Sequence, residues 1–260
     1  MGIALSTNAP VLIHHAEKAR VGYETAMERL TSGSRVNSAS DDPAGHSVSR
    51  NLMAQIRGAD MAIRNVEDAM SIMAVADGAL VEVEDMLTRI YELSVQKANS
   101  SYSATDVTNI NSEITQLMSE IGDLAANTKF NNAAVSGTNV LVGQEFDGST
   151  EAYQIPTFLA EADLDSSSTV TDIYSAIGSV SGFRGTLASY INRFEYKISA
   201  LSLLSATTSA AHSRIMDADY AAESAALAKG KVLQQASVAM LAQANASVDY
   251  VTSLLRYRQL

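Results

Sequence analysis

From residue 52 onward, apolar residues recur at alternating intervals of four and three. The first repeat consists of Leu52, Ile56, Ala59, Ile63, Val66, Met70 and Met73. This heptad spacing is typical of a helix that packs along a coiled-coil seam. Asp42 followed by Pro43 is a helix start signal, with Asp42 as N-cap and Pro43 at the first helical position. The pattern predicts one long helix from about Pro43 to about Asn99.

This repeat changes phase once. Ala76 follows Met73 by a second interval of three, and the alternation then resumes through Leu80, Val83, Leu87 and Ile90. Such a step resembles a stammer, which overwinds a coiled coil locally. We expect the helix to continue through it.

Two more heptad repeats follow. One consists of Val107, Ile110, Ile114, Leu117, Ile121 and Leu124, and the other runs from Ile173 to Ile215. The turn before the first of these, at residues 100–103, is short, so its helix is expected to fold back antiparallel on its predecessor. The last repeat becomes polar at Ser205, Thr208 and His212. The seam is therefore expected to be weaker there, or to meet a partner that satisfies its polar groups.

Between the second and third repeats the helical pattern breaks. Strand-like segments occur at residues 138–142 and 151–158, and Asp147-Gly148 between them is a favourable turn. The sequence thus predicts a small β-hairpin within about residues 130–165.

The terminal segments, residues 3–30 and 220–255, carry helical apolar patterns that a single chain of this size cannot fully bury. We expect them to become ordered on assembly. The predicted fold is mainly α: a long antiparallel coiled-coil bundle with a small β-hairpin and paired N- and C-terminal helices. The predicted domains are a terminal-helix domain (residues 1–42 with 220–260) and a helical bundle (residues 43–219).

Composition supports thin helical seams rather than a thick core. The 260 residues are 47% hydrophobic, with no Trp and only five Phe, and only three prolines interrupt the chain. The net charge of −11 has no basic block against it, which argues against a nucleic-acid partner. No apolar run of membrane-spanning length occurs, so no membrane partner is expected.

No pattern of catalytic or metal-binding residues stands out. The four histidines, His14, His15, His46 and His212, form no zinc motif, and cysteine is absent. The carboxylate pairs Asp41-Asp42 and Asp217-Asp219 lack a pocket-forming context, and residues 182–185 lack the spacing of a phosphate loop. The sequence therefore predicts no enzyme, no cofactor and no metal.

Both ends of the chain resemble bacterial flagellin. The segments that show the resemblance include residues 28–45, Asp77-Gly78-Ala79-Leu80, Ser213-Arg214-Ile215, Gln234-Gln235-Ala236 and Leu254-Leu255-Arg256. The short middle leaves no room for the large outer domains that many flagellins carry, so the resemblance is to a short form with only the two core domains. The segment Tyr257-Arg258-Gln259-Leu260 extends past the family's usual ending, and its role stays open.

The resemblance implies a subunit that polymerises into the extracellular flagellar filament for swimming motility. Family members are exported unfolded through the flagellar type III system, and the terminal helices form the inner layer of the tube. Partners would be other copies of the chain, an export chaperone, and the cap and hook-junction proteins. The alternative within the family is the hook–filament junction protein.

An animal Toll-like receptor detects many flagellins. The family's recognition positions correspond to Arg89, Leu93 and Glu113, and all three residue types match. The same residues are also expected to make filament contacts, which is the simpler interpretation.

Overall fold

The computed structural model describes residues 8–144, 150–157 and 167–257. Five helices lie in these residues: α1 (Asn8–Ser32), α2 (Pro43–Lys97), α3 (Ala104–Asn127), α4 (Val170–Met216) and α5 (Tyr220–Tyr257). Two antiparallel strand pairs lie between α3 and α4: β1 (Lys129–Phe130) with β2 (Ala133–Ala134), and β3 (Asn139–Gln144) with β4 (Thr150–Gln154). The prediction of a mainly α fold with long helices and a small β region is confirmed.

The chain divides into two compact units. One, here called the terminal unit, is Met1–Met53 with Thr208–Leu260, and the other, the bundle unit, is Ala54–Thr207. These boundaries lie within α2 and α4, whereas the domain boundaries expected from the sequence lie at helix ends near Asp42 and Tyr220. The sequence-based division stays a prediction.

The bundle unit is built around the heptad seams of α2, α3 and α4. Its largest buried side chains, each less than 2% exposed, are Phe194, Met73, Leu80, Leu87, Ile90, Ile114, Ile155, Ile173 and Leu187. The buried positions of α2 from Val66 through Ala69, Met73 and Ala76 to Ile90 alternate regularly by three and four, so the phase change expected from the sequence is wrong: Ala69 is buried in place of Met70. The buried face of α2 therefore follows most of the predicted seam, but Ala69 takes the core position that the prediction gave to Met70, and Ile56 and Ile63 are only partly buried.

Polar contacts also join α2 to α4. Arg184 Nε donates to Asp77 Oδ1 at 2.9 Å, and Arg184 Nη1 donates to Glu84 Oε2 at 2.6 Å. The hydrogen bonds to Asp77 and then Glu84 raise the pKa of Arg184. Further along, Ser205 Oγ donates to Asp60 Oδ1 at 2.9 Å, which gives this polar seam residue a partner on α2. The order of these contacts shows that α2 and α4 run antiparallel.

The strand region packs one face against α4. Tyr153 from β4 makes edge-to-face contacts with Phe194 and Tyr190, with ring centroids 4.7 and 5.1 Å apart. The β3–β4 pair agrees with the predicted hairpin, although Asp147-Gly148 lies outside the described residues. The shorter β1–β2 hairpin was not predicted. Its turn residues Asn131 and Asn132 have φ values of 50° and 65°, which suits a two-residue turn of the primed type.

In the terminal unit, α1 and α5 lie against each other. Tyr220 Oη donates to Leu30 O at 3.0 Å, and Gly230 lies beside Tyr23, so residue numbers fall along α1 as they rise along α5. The helices are therefore antiparallel. A Cβ placed on Gly230 would lie 3.1 Å from Tyr23 Cβ and 3.2 Å from Tyr23 Cα, so any larger residue would require the two helices to move slightly apart.

Gly230→Ala is expected to be less favourable than an unhindered Gly→Ala change within a helix by roughly 1–3 kcal/mol, because the new methyl group meets the backbone of α1. Gly178→Ala is the matched control, since Gly178 lies in α4 with open space for 4 Å around the position that a methyl group would take. It should instead stabilise its helix by roughly 0.5–1 kcal/mol. Urea unfolding followed by circular dichroism measures both changes. Equal effects of the two substitutions would contradict the close approach.

Acid should weaken the helix starts. Ser103 caps α3, where Asp106 N donates to Ser103 Oγ and Ser103 N donates to Asp106 Oδ2. Hydrogen bonds from Ser103 hold the pKa of Asp106 below its usual 3.8. The folded protein therefore favours the carboxylate, and this contribution to stability is present above pH 3.8 and is lost as the pH falls further.

Asp106→Asn removes the ionisable carboxyl group. The variant should therefore lose less stability than the wild-type protein when the pH falls below 3.8. Asp172, whose pKa is lowered in the same way by Thr169 at the start of α4, serves as a second test position. Urea midpoints measured across the acid range give the comparison. An unchanged pH profile in both variants would show that these caps do not contribute.

Candidate functional site

The two segments that carried much of the sequence resemblance lie against each other in the terminal unit. Arg35 N donates to Met216 O at 2.6 Å, and Ala218 N donates to Gly33 O at 2.9 Å. The Arg35 side chain adds a bond from Nη2 to Ile215 O at 2.8 Å. Gly33 has a φ of 71°, which glycine adopts without strain. The loop after α1 is thus joined to the link between α4 and α5 by backbone pairing.

An ion pair extends this junction along the helices. Arg29 Nη1 lies 3.0 Å from Glu223 Oε1, with 32% and 15% of the two side chains exposed. This partial burial limits solvent screening compared with an exposed pair. Together with the Tyr220 hydrogen bond, it fixes the first turns of α5 against the last turns of α1.

At the start of α2, Asp42 Oδ1 accepts from Gly45 N at 2.9 Å, and Pro43 is the first helical residue. This is the geometry of an N-cap. The neighbouring Asp41 does not cap the helix but binds the loop before it: its Oδ2 accepts from Ser38 N and Asn37 N at 2.9 and 3.0 Å. Hydrogen bonding to Ser38 and Asn37 lowers the pKa of Asp41. Both carboxylates therefore organise the backbone.

The helix pair leaves apolar side chains uncovered on both helices. Those that are about half or more exposed include Val11, Ile13, Val21 and Met27 on α1, and Val232, Leu233, Val238 and Met240 on α5. The residues that the pair buries are small: Ala19, Ala26 and Gly230. Small residues allow close contact along one stripe, and the larger apolar residues remain outside it. We call this uncovered set the terminal apolar surface.

The three residues predicted for receptor recognition divide between surface and core. Arg89 and Glu113 are exposed and join α2 to α3, with Arg89 Nη2 donating to Glu113 Oε1 at 3.0 Å. Hydrogen bonds to Glu113 and then Glu92 raise the pKa of Arg89. Leu93, in contrast, is 2% exposed and belongs to the bundle core. Its side chain therefore offers almost no surface to a partner. Receptor recognition here stays a prediction.

Other candidate chemistry remains dispersed. Within the described ranges, no group of three or more histidines and carboxylates could hold a metal ion. The rings of His14 and His15 are 6.2 Å apart and exposed. A groove of about 640 Å³ lies beside the β1–β2 hairpin, and among its lining residues Asp68 is the single carboxylate. None of the helices in the part of the chain described here has the length and hydrophobicity of a membrane span.

The sequence did not predict two contacts between helices, one in each unit. Arg184 occupied a core position of the third repeat, and this irregularity was the available signal for its pairing with Asp77 and Glu84. The approach of Gly230 to Tyr23 had no comparable signal, because a glycine in a helix does not indicate which helix it will meet.

Two family models match the chain. The bacterial flagellin N-terminal helical region matches residues 5–139, and the bacterial flagellin C-terminal helical region matches residues 170–255. Both the contacts between residues 29–35 and 215–223 and the residues of the terminal apolar surface fall within these two matches.

Similar proteins agree with the family models. The flagellar filament 33 kDa core protein of Treponema phagedenis is 36% identical, over 88% of this chain and 91% of that protein. A flagellin of Halalkalibacterium halodurans is 38% identical, over 90% of this chain and 92% of that protein. A crystal structure of Bacillus cereus flagellin aligns with a TM-score of 0.48 at 26% identity, over 53% of this chain and 88% of that one. With family models matched at both ends and relatives of this identity over most of its length, the chain belongs to the bacterial flagellin family.

Proposed function

We propose that this protein is a structural subunit that polymerises into the flagellar filament. The observation that carries the proposal is the terminal apolar surface, because large apolar residues on both α1 and α5 remain uncovered by the helix pair. A soluble monomer rarely leaves such a surface exposed without a partner to cover it. Other copies of the same chain are the partner that best fits a structural family.

The type of contact determines the type of assembly. When one face of a subunit meets a different face of the next, the assembly closes into a ring or continues as a helix. The exposed apolar residues of α1 and those of α5 can supply two such faces on the antiparallel pair. Burying the exposed half of each of these side chains contributes roughly 1 kcal/mol. Several contacts together can therefore hold a polymer of subunits that are individually soluble.

The relatives support this role. One is named a flagellar filament core protein, and this chain covers most of its length. By family analogy, the subunit is exported through the flagellar type III system, assembles outside the cell and serves swimming motility. Its partners on that route are an export chaperone, the cap and the hook-junction proteins.

The central test is polymerisation of the purified protein. Long helical filaments seen by electron microscopy, with protein recovered in the pellet after sedimentation, are the expected result. Closed rings, or protein that stays monomeric at every concentration, would count against the proposal.

Val238→Glu is expected to raise the critical concentration for polymerisation by about tenfold or more, because a charge would have to be buried in the contact. Val75→Glu is the matched control, since Val75 is also an exposed helical valine but lies on α2 in the bundle unit, outside the stretch from Arg89 to Glu113 that is expected to make filament contacts. Circular dichroism checks that both variants fold. If Val238→Glu polymerises like the wild-type protein, the terminal apolar surface is not the contact.

A further inference from the structure

The composition of the chain makes methionine its main target for mild oxidants. The chain has ten methionines and neither cysteine nor tryptophan. Without a thiol, the thioether sulfur is the side-chain atom most readily oxidised by a two-electron oxidant. The position of each methionine therefore decides what oxidation does to this protein.

Exposure separates the methionines. Among the described residues, Met27, Met61 and Met240 are the exposed ones, with 52%, 50% and 61% of their surface accessible. Met73 has no accessible surface, and the others are intermediate. A limited dose of oxidant should therefore reach the three exposed sulfur atoms first.

The surroundings of these three residues differ. Met240 follows Leu233 by seven residues and Ala236 by four, so they share one face of α5. Met27 has Leu30 one turn further along α1. Both belong to the terminal apolar surface. Met61 instead lies between Arg57 and Arg64 on its face of α2, in a polar setting.

We propose that Met27 and Met240 are oxidation sites at which hydrogen peroxide, or a similar oxygen-atom donor, blocks polymerisation. The proposal rests on the proposed function, since it assigns these residues to the filament contact. A sulfur lone pair attacks one peroxide oxygen, an S–O bond forms and the O–O bond breaks. The sulfur loses two electrons, and the departing hydroxide takes up the released proton to become water.

The product changes the contact physically. A sulfoxide oxygen is a hydrogen-bond acceptor, and an apolar contact offers it no donor. Burying it without a partner is expected to raise the critical concentration for polymerisation roughly tenfold. Oxidation at Met61 changes a polar surface and should leave polymerisation unaffected.

The test uses the full chain treated with limiting hydrogen peroxide. Peptide mass spectrometry identifies a dose at which Met27, Met61 and Met240 carry oxygen and Met73 does not, and circular dichroism checks that helicity is retained. Sedimentation then gives the critical concentration of wild-type protein, the Met27→Leu/Met240→Leu variant and the Met61→Leu control. Leucine is close to methionine in volume and cannot be oxidised in this way.

Peroxide treatment should raise the critical concentration for polymerisation of wild-type protein and of Met61→Leu about tenfold. The critical concentration of the double variant should be the same before and after treatment. Reduction of treated wild-type protein by methionine sulfoxide reductases should restore it, which requires no variant. Equal loss in the double variant, or no recovery after reduction, would overturn the inference. Untreated wild-type protein that never polymerises would instead refute the proposed function itself, and the inference with it.

Discussion

A helix can bury only one stripe of its surface against a single neighbour, and this limit governs the terminal unit. Among the described residues of α1 and α5, the buried positions of that stripe are the small residues Ala19, Ala26 and Gly230, and Gly230 makes a close approach to Tyr23. Close backbone approach at Gly230, the Arg29–Glu223 ion pair and the Tyr220 hydrogen bond to Leu30 together hold the pair. The larger apolar residues consequently face outward, and the exposed surface is a result of how the pair forms.

In the bundle unit, apolar side chains are buried among several elements rather than against one neighbour. Three helices and the β4 strand surround one seam, so large residues such as Phe194 and Leu187 are completely buried. Its polar contacts, including Arg184 with Asp77, lie at the edges of that seam and set the register of α4 on α2. The large apolar side chains of the bundle seam are therefore buried by elements of the same chain. Those of the terminal helix pair are buried only in part.

The junction of the terminal unit joins two distant segments that both carry the resemblance to the family. Gly33 and Arg35 pair with Ala218 and Met216, and Arg29 pairs with Glu223. Each segment supplies backbone groups or charges that the other needs. The residues named for recognition came from the family resemblance, which did not indicate that Arg89 and Glu113 pair on the surface or that Leu93 is buried in the bundle core.

The sequence by itself determined the helices, because heptad spacing and the Asp42-Pro43 start signal act through neighbouring residues of the same chain. It also determined that the terminal helices carry more apolar surface than one chain buries. Only the tertiary structure decided which glycine meets which backbone, where Arg184 finds its carboxylates, and that Asn131-Asn132 forms a separate turn. Periodicity fixes which stripe of a helix is apolar, but the partner for that stripe depends on contacts between residues far apart in the chain.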